Sequence, residues 1–341
     1  METNQIYQID AFEGLAQLED NSIDCVVTSP PYWQARSYGN ESKTALGAEV
    51  SPYEYVEKFR PLFREILRVL KPFGTFCFNI GDIRSQGKRR QRGRRDTSEE
   101  TRGKNFKGWT NWDGELKFIG VDVDIPAKSY LGIPERILLN ALDDGWTVRD
   151  KIIWGKGVLF WDGTTRGGTT PSPINDRFQS NWEYLFYFTK TKNNYFNRYA
   201  IEVEKIVETG YKIPPNVWII SPRVGKEPSY PQDLQVNFAT YPKTLSDLCV
   251  RSVCPPKVCV KCGNPVPMLP NYSRFKGCTC WGDNDIPQTK PGVVLDPFAG
   301  FGTTAISAID YGVNYIGFDI LKPQVDAAKI RVERYLDYLK N

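Results

Sequence analysis

The stretch best furnished for chemistry is Thr28-Ser29-Pro30-Pro31-Tyr32-Trp33. The apolar run before it, Ile23 to Val27, reads as a buried strand. Proline has no amide N–H and biases the residue before it away from helix. Two prolines in a row therefore hold a rigid, extended corner at the carboxyl end of that strand. This is the edge at which open α/β sheets bind ligands. Ser29 Oγ and the Pro30 carbonyl can accept from an exocyclic amine. Tyr32 and Trp33 offer faces for a flat ring.

A second set lies near the other end, in Asp296-Pro297-Phe298-Ala299-Gly300-Phe301-Gly302-Thr303-Thr304. It follows a short apolar strand, Gly292 to Leu295. Gly300 and Gly302 let the backbone approach a ligand closely. The next strand, Asn314 to Phe318, ends in Asp319, whose carboxylate can accept from both hydroxyls of a ribose. The third glycine of the dinucleotide pattern is missing, because Ala305 stands there.

The third set is sulfur. Cys259-Val260-Lys261-Cys262-Gly263 is a knuckle, and Cys278-Thr279-Cys280 supplies a second pair. Four thiolates suit a closed tetrahedral Zn²⁺ site, with Cys254 as a substitute ligand. The plain alternative is a group of free thiols in a surface loop. The fourth set is charge. Lys88, Arg89, Arg90, Arg92, Arg94 and Arg95 crowd the loop 84–107, which has almost no apolar residue and cannot be core. It is either a solvated loop or one that contacts phosphate.

The elements that must position these groups follow from pattern. Gln5 to Ile9 alternates as a strand and ends in Asp10, before a short helix. Tyr53 to Leu70 carries apolar residues at helical spacing, and Lys71-Pro72-Phe73-Gly74 ends that helix before a strand over Thr75 to Ile80. Ile133 to Leu142 reads as a helix, and Trp146 to Trp154 and Asn181 to Lys190 as strands. Leu245 to Val250 and Pro323 to Tyr338 read as helices.

The totals set bounds. The chain has 341 residues, a formal net charge of +4, eight cysteines and no histidine. That excludes a Ser-His-Asp triad and any histidine metal ligand. With no apolar span and no leader-like start, a soluble cytoplasmic protein without membrane contact is expected. Cys25 and Cys77 read as inert core thiols.

Thr28 to Trp33 resembles the catalytic motif of DNA amino-methyltransferases in its Ser-Pro-Pro-Tyr form. Asp296 to Thr304 resembles their S-adenosylmethionine loop. Catalytic motif first and cofactor motif last is the order of the permuted, beta-type group. The resemblance implies Ser29, Pro30, Pro31 and Tyr32 as catalytic residues. It implies Asp10, Asp296, Pro297, Phe298, Gly300, Gly302, Thr303, Thr304 and Asp319 as cofactor contacts, Asp10 being equally well a helix N-cap. Trp33, Arg89, Arg90, Arg94 and Arg95 would face DNA. Family members often carry histidine where Asn237 stands.

The expected fold is α/β, a doubly wound, mostly parallel, Rossmann-like and circularly permuted sheet, with insertions for DNA and a zinc ribbon. The expected division is 1–190 for the catalytic half, 191–236 for target recognition, 237–290 for a connecting helix and the cysteine cluster, and 291–341 for the cofactor half. The implied reaction moves a methyl group from S-adenosylmethionine to cytosine N4 of a base flipped out of double-stranded DNA. A restriction endonuclease is an implied companion. The alternatives are adenine N6 as the target and a non-catalytic zinc-ribbon DNA-binding protein.

Overall fold

The computed structural model describes residues 1–33, 46–85, 125–160, 162, 164–167, 175–204, 211–222, 240–266, 278–281 and 286–340. In chain order the elements are β1 (Gln5–Gln8), α1 (Ala11–Ala16), β2 (Ile23–Thr28), α2 (Pro52–Val69), β3 (Leu70–Ile80), α3 (Ile133–Asp143) and β4 (Thr147–Gly155). Short β5 (Gly157–Leu159) and β6 (Thr165–Gly167) precede β7 (Trp182–Thr189). Then come β8 (Val203–Glu204), β9 (Tyr211–Lys212), β10 (Val217–Ile219), α4 (Lys243–Val253), β11 (Val258–Cys259) and β12 (Thr289–Lys290). The chain closes with β13 (Val293–Asp296), α5 (Thr303–Tyr311), β14 (Asn314–Asp319) and α6 (Lys322–Lys340).

Among the described residues, eight strands form one sheet in the order β1-β14-β13-β2-β3-β7-β4-β10. Every pairing is parallel except the two that β7 makes. Strand alternation feeds two cores. Val26, Leu295, Ile316 and Phe318 face the layer of α1, α2 and α3. Cys25, Val27, Val294 and Tyr315 face the layer of α4, α5 and α6. All six residues of β2 are buried, as a central strand covered on both sides requires.

Local chemistry sets the helix starts. Ser51 Oγ accepts from the Tyr53 amide at 3.1 Å, and Pro52 follows in the first turn. The inward face of α2 then carries Tyr55, Phe59 and Phe63, edge-on to one another. The helix does not end in a separate turn as the Lys-Pro-Phe-Gly stretch suggested. Leu70 is already extended and opposes Ile23, while Thr75 opposes Cys25. Residues 71–74 are therefore a bulge inside β3.

Two segments join the main body more closely than the sequence indicated. From the region 191–236, β10 pairs with β4 as an edge strand. From the region 237–290, α4 packs on β2 and α5. No described helix is long and apolar enough to cross a membrane.

Candidate active site

The Ser-Pro-Pro-Tyr corner leaves the carboxyl end of β2. Its shape is held from α2, where Tyr55 Oη donates to the Pro31 carbonyl at 2.7 Å. Ser29, Pro31 and Tyr32 are half-buried and Pro30 is buried. Tyr32 Oη donates to Glu183 Oε2 at 2.7 Å and lies 3.3 Å from Asn79 Oδ1. Burial first, then the Glu183 charge, push the Tyr32 phenol well above its ordinary value, so Tyr32 is neutral. Gly81 lies against this tyrosine ring; a Cβ there would come within 2.9 Å of Tyr32 Cε2. Trp33 does not offer the aromatic face its position suggested. It is 6% exposed, belongs to the core, and its indole N–H donates to the Glu49 carbonyl at 2.9 Å. After two prolines the alternation of the strand no longer holds, so neighbouring rings need not share a face.

Asp296 is a buried hub. Oδ1 accepts from Thr28 Oγ1 at 2.5 Å and from the Phe298 amide at 3.1 Å. Oδ2 accepts from Thr304 Oγ1 at 2.6 Å and from Tyr241 Oη at 3.0 Å. Burial raises its carboxyl, against the pull of these hydrogen bonds. Asp296 thus ties the strand of the Ser29 corner to the glycine loop. At 3% exposure, with four donors around it, it leaves little room for a ligand, whereas Asp319 is only half-buried. Pro297 is buried beside it and Phe298 half-buried.

The glycine loop runs into α5 through Gly302, with φ of +73°. A side chain there would be strained by the backbone and would meet Ile6 and Ala328. Thr303 opens the helix, and the buried Arg331 donates to its Oγ1 at 3.0 Å and to the Phe301 carbonyl at 2.9 Å. The positive end of α5 and the turn before it, half-buried at Phe298 and Gly300, favour a polar or anionic ligand group. Across the loop, Asp319 Oδ2 accepts from the Gly300 amide at 3.0 Å and Oδ1 from the Leu321 amide at 2.9 Å. With its amide nitrogen turned toward Asp319, Gln324 donates at 2.6 and 3.0 Å. Burial pushes the Asp319 carboxyl up to about 6, against the two amides. Asp10 caps α1, accepting from the Phe12 amide at 2.8 Å through one oxygen. It ends the β1 side of the same edge, since Gln8 pairs with Asp319.

The sulfurs of Cys259, Cys262, Cys278 and Cys280 all lie within 4.8 Å of one another. A tetrahedral zinc with ordinary Zn–S bonds needs sulfurs about 3.8 Å apart. The expected substitute, Cys254, is no part of this group. It is fully buried against Cys25, in the core of α4 and β2. Gly263 of the knuckle lies against Lys71. Lys71 in turn pairs with Asp24 at 2.7 Å, and Asp24 takes the Val293 amide at 2.8 Å. The cluster therefore sits at the amino ends of β2, β3 and β13, opposite the edge that carries Ser29 and Asp319. Arg89, Arg90, Arg94, Arg95 and Asn237 lie outside the described residues.

Several site residues were not picked out from the sequence: Tyr241, Glu183, Lys156, Arg331 and Gln324. One had a signal. Glu183 is a lone carboxylate at the head of the apolar run Trp182 to Thr189, and a carboxylate so placed needs a partner.

A doubly wound sheet with a Ser-Pro-Pro-Tyr corner and a glycine loop at one edge defines a class, and comparison with known proteins gives the family. A family model described as DNA methylase, of the N6 and N4 amino-methyltransferases, matches residues 23–330, and the chain belongs to that family. The type II methyltransferase M.SmaI of Serratia marcescens is 28% identical over 327 residues, covering 95% of this chain and 89% of that protein. M.Cfr9I of Citrobacter freundii is 27% identical, covering 96% and 87%. In fold the chain is similar to the PvuII cytosine-N4-specific DNA methyltransferase, with a TM-score of 0.60, 19% identity, and 100% and 94% coverage. It is also similar to a putative DNA modification methylase of Thermus thermophilus solved with S-adenosyl-L-methionine, with a TM-score of 0.52, 18% identity, and 97% and 95% coverage.

Proposed function

We propose that this DNA methylase transfers the methyl group of S-adenosylmethionine to cytosine N4 at a specific DNA site. The observation that carries the reading is the join between the Ser29 corner and the glycine loop through Thr28 and Asp296. It brings an amine-accepting corner and a cofactor loop to one edge.

When bound, S-adenosylmethionine supplies an electrophilic methyl group, and its sulfur keeps the electron pair of the broken bond. The loop from Phe298 to Thr303 and the Asp319 carboxylate fit it: a close-approach glycine turn, a helix amino end, and an acceptor for ribose hydroxyls. Asp10 has a second carboxylate oxygen for the adenine side. Ser29 Oγ and the Pro30 carbonyl orient the amine and hold its protons, and Tyr32 stacks on the base. Catalysis rests on orientation and electrostatics, with no covalent enzyme intermediate. An exocyclic amine inside a duplex cannot reach such a corner, so the base is flipped out.

The neutral Ser29 hydroxyl, in place of a carboxylate, favours cytosine N4, in line with the specificity of the PvuII enzyme. Adenine N6 is the second reading, because the family includes both reactions. The type II relatives point to a restriction–modification setting with a companion endonuclease. The cysteine cluster holds one structural Zn²⁺, since four sulfurs converge with no fifth group needed. Mass spectrometry of nucleosides from DNA methylated by the purified protein tests the base. N4-methylcytosine is expected; N6-methyladenine alone would overturn the cytosine assignment.

A further inference from the structure

Tyr32 is joined to a carboxylate that the reaction above leaves without a task. Glu183, at the head of β7, accepts from Tyr32 Oη through Oε2 at 2.7 Å. Its other oxygen is bound by the ammonium of Lys156, just past β4. The Glu183 side chain is only 13% exposed. On the near side stands Ser29, on the same corner, whose hydroxyl acts on the Tyr32 phenol to lower it against the effect of burial. A line of groups thus runs from the corner of β2, through Tyr32, to the head of β7.

We propose that Glu183 is the internal acceptor for the proton that the methylated amine must lose, reached through Ser29 and Tyr32. The proposal rests on reading the site as one that methylates an amine. As the amine nitrogen uses its lone pair to bond the methyl carbon, positive charge builds on it and one of its protons leaves in the same step. That proton passes to Ser29 Oγ as the Ser29 proton passes to Tyr32 Oη and the Tyr32 proton to Glu183 Oε2. Ser29 and Tyr32 are regenerated as hydroxyls, and Glu183 becomes a neutral acid. It returns its proton to water after the methylated base leaves.

The other groups nearby do not offer this route. Asn79 Oδ1 is farther from Tyr32 Oη, at 3.3 Å, and an amide is a poor proton store. Asp296 is enclosed by four donors. Asp82 is committed to the backbone amides of Ile83, Gly132 and Ile133. The Tyr32 phenol is held neutral, so it relays rather than stores. Lys156 balances the Glu183 charge at rest, which lets a carboxylate stand at a half-buried edge.

The test is Glu183→Gln, which keeps an acceptor for Tyr32 Oη but takes up no proton. Single-turnover transfer of tritiated methyl to unmodified genomic DNA should slow by about 10²-fold or more. The dissociation constants for DNA and for S-adenosylmethionine should stay within about twofold of wild type, well inside one tenfold step of affinity. The solvent deuterium isotope effect on the wild-type transfer step should change in the variant, and Glu183→Asp should restore part of the rate. An unimpaired Glu183→Gln rate in a protein whose wild type is active overturns the relay alone. So does a loss traced wholly to weaker DNA binding. A wild type that moves no methyl group to DNA overturns the amine reading and the relay with it.

Discussion

Thr28 Oγ1 donates to Asp296 Oδ1 at 2.5 Å, across a sequence separation of 268 residues. Thr28 ends the strand that carries the catalytic corner, and Asp296 begins the glycine loop. Thr28→Val should remove a hydrogen bond to a buried acid, at a cost of about 1.5–3 kcal/mol in stability. Thr28→Ser should recover most of it. Denaturant titration of the three proteins checks this, and equal stabilities of wild type and Val variant would contradict it.

Asp319 gives cofactor binding a pH dependence of known sign. Its carboxyl is raised to about 6 in the free protein, and under the function proposed above the ionised form is the one that accepts from ribose hydroxyls. Affinity for S-adenosylmethionine should therefore be flat above pH 7 and fall about tenfold per pH unit below 6. Asp319→Ala should weaken binding at pH 7.5 by about 1.5–3 kcal/mol and abolish the pH dependence. Calorimetry across pH 5 to 8 measures both. The free protein behaves in the opposite sense. A carboxyl raised above its unfolded value adds stability at low pH and loses it as the pH rises through about 6.

Ser29→Ala removes the hydroxyl acceptor for the amine and leaves the glycine loop untouched. Turnover should drop by at least about 10²-fold, while the dissociation constant for S-adenosylmethionine stays the same. A comparable loss of cofactor affinity would mean that Ser29 serves the loop instead.

Purified, never-chelated protein should carry about one Zn²⁺ per chain. Cys259→Ser should lose the metal and lower the melting temperature. Because the cluster lies at the edge away from Ser29, methyl transfer by the surviving folded variant should be changed far less than by Ser29→Ala. Metal analysis without zinc would remove the site.

Neutralising Arg89, Arg90, Arg94 and Arg95 together should weaken binding to specific and unrelated DNA alike. It should also flatten the dependence of log affinity on log salt. An unchanged slope would show that these residues do not meet phosphate.

What the sequence displayed was whatever the backbone itself dictates. Pro30 and Pro31 stop a strand wherever they stand, and Gly302 takes a positive φ that other residues resist. The corner, the glycine loop and Asp319 could therefore be located before any contact was known. Contacts made by long side chains across the sheet could not. Glu183 reaches Tyr32 over a separation of 151 residues and Tyr241 reaches Asp296 over 55, and neither spacing follows from local pattern. Arg331 illustrates the opposite bias. An arginine on a helix is ordinarily exposed, yet this one is 1% exposed and braces the glycine loop.

The strand order has a consequence for how the molecule is made. β1 leaves the ribosome long before β14, its neighbour in the sheet, because most of this chain lies between them. β2 likewise lacks its β13 neighbour until the final stretch is translated. At roughly 5–20 residues per second, these edges stand open for about fifteen seconds to a minute. A nascent catalytic half therefore displays an unpaired, fully buried-type strand edge to its surroundings, the kind of surface that chaperones hold. Closure of the sheet waits for long-range pairing, which is slow by nature. The last-made strands, not the first, set the moment at which both the corner and the loop exist.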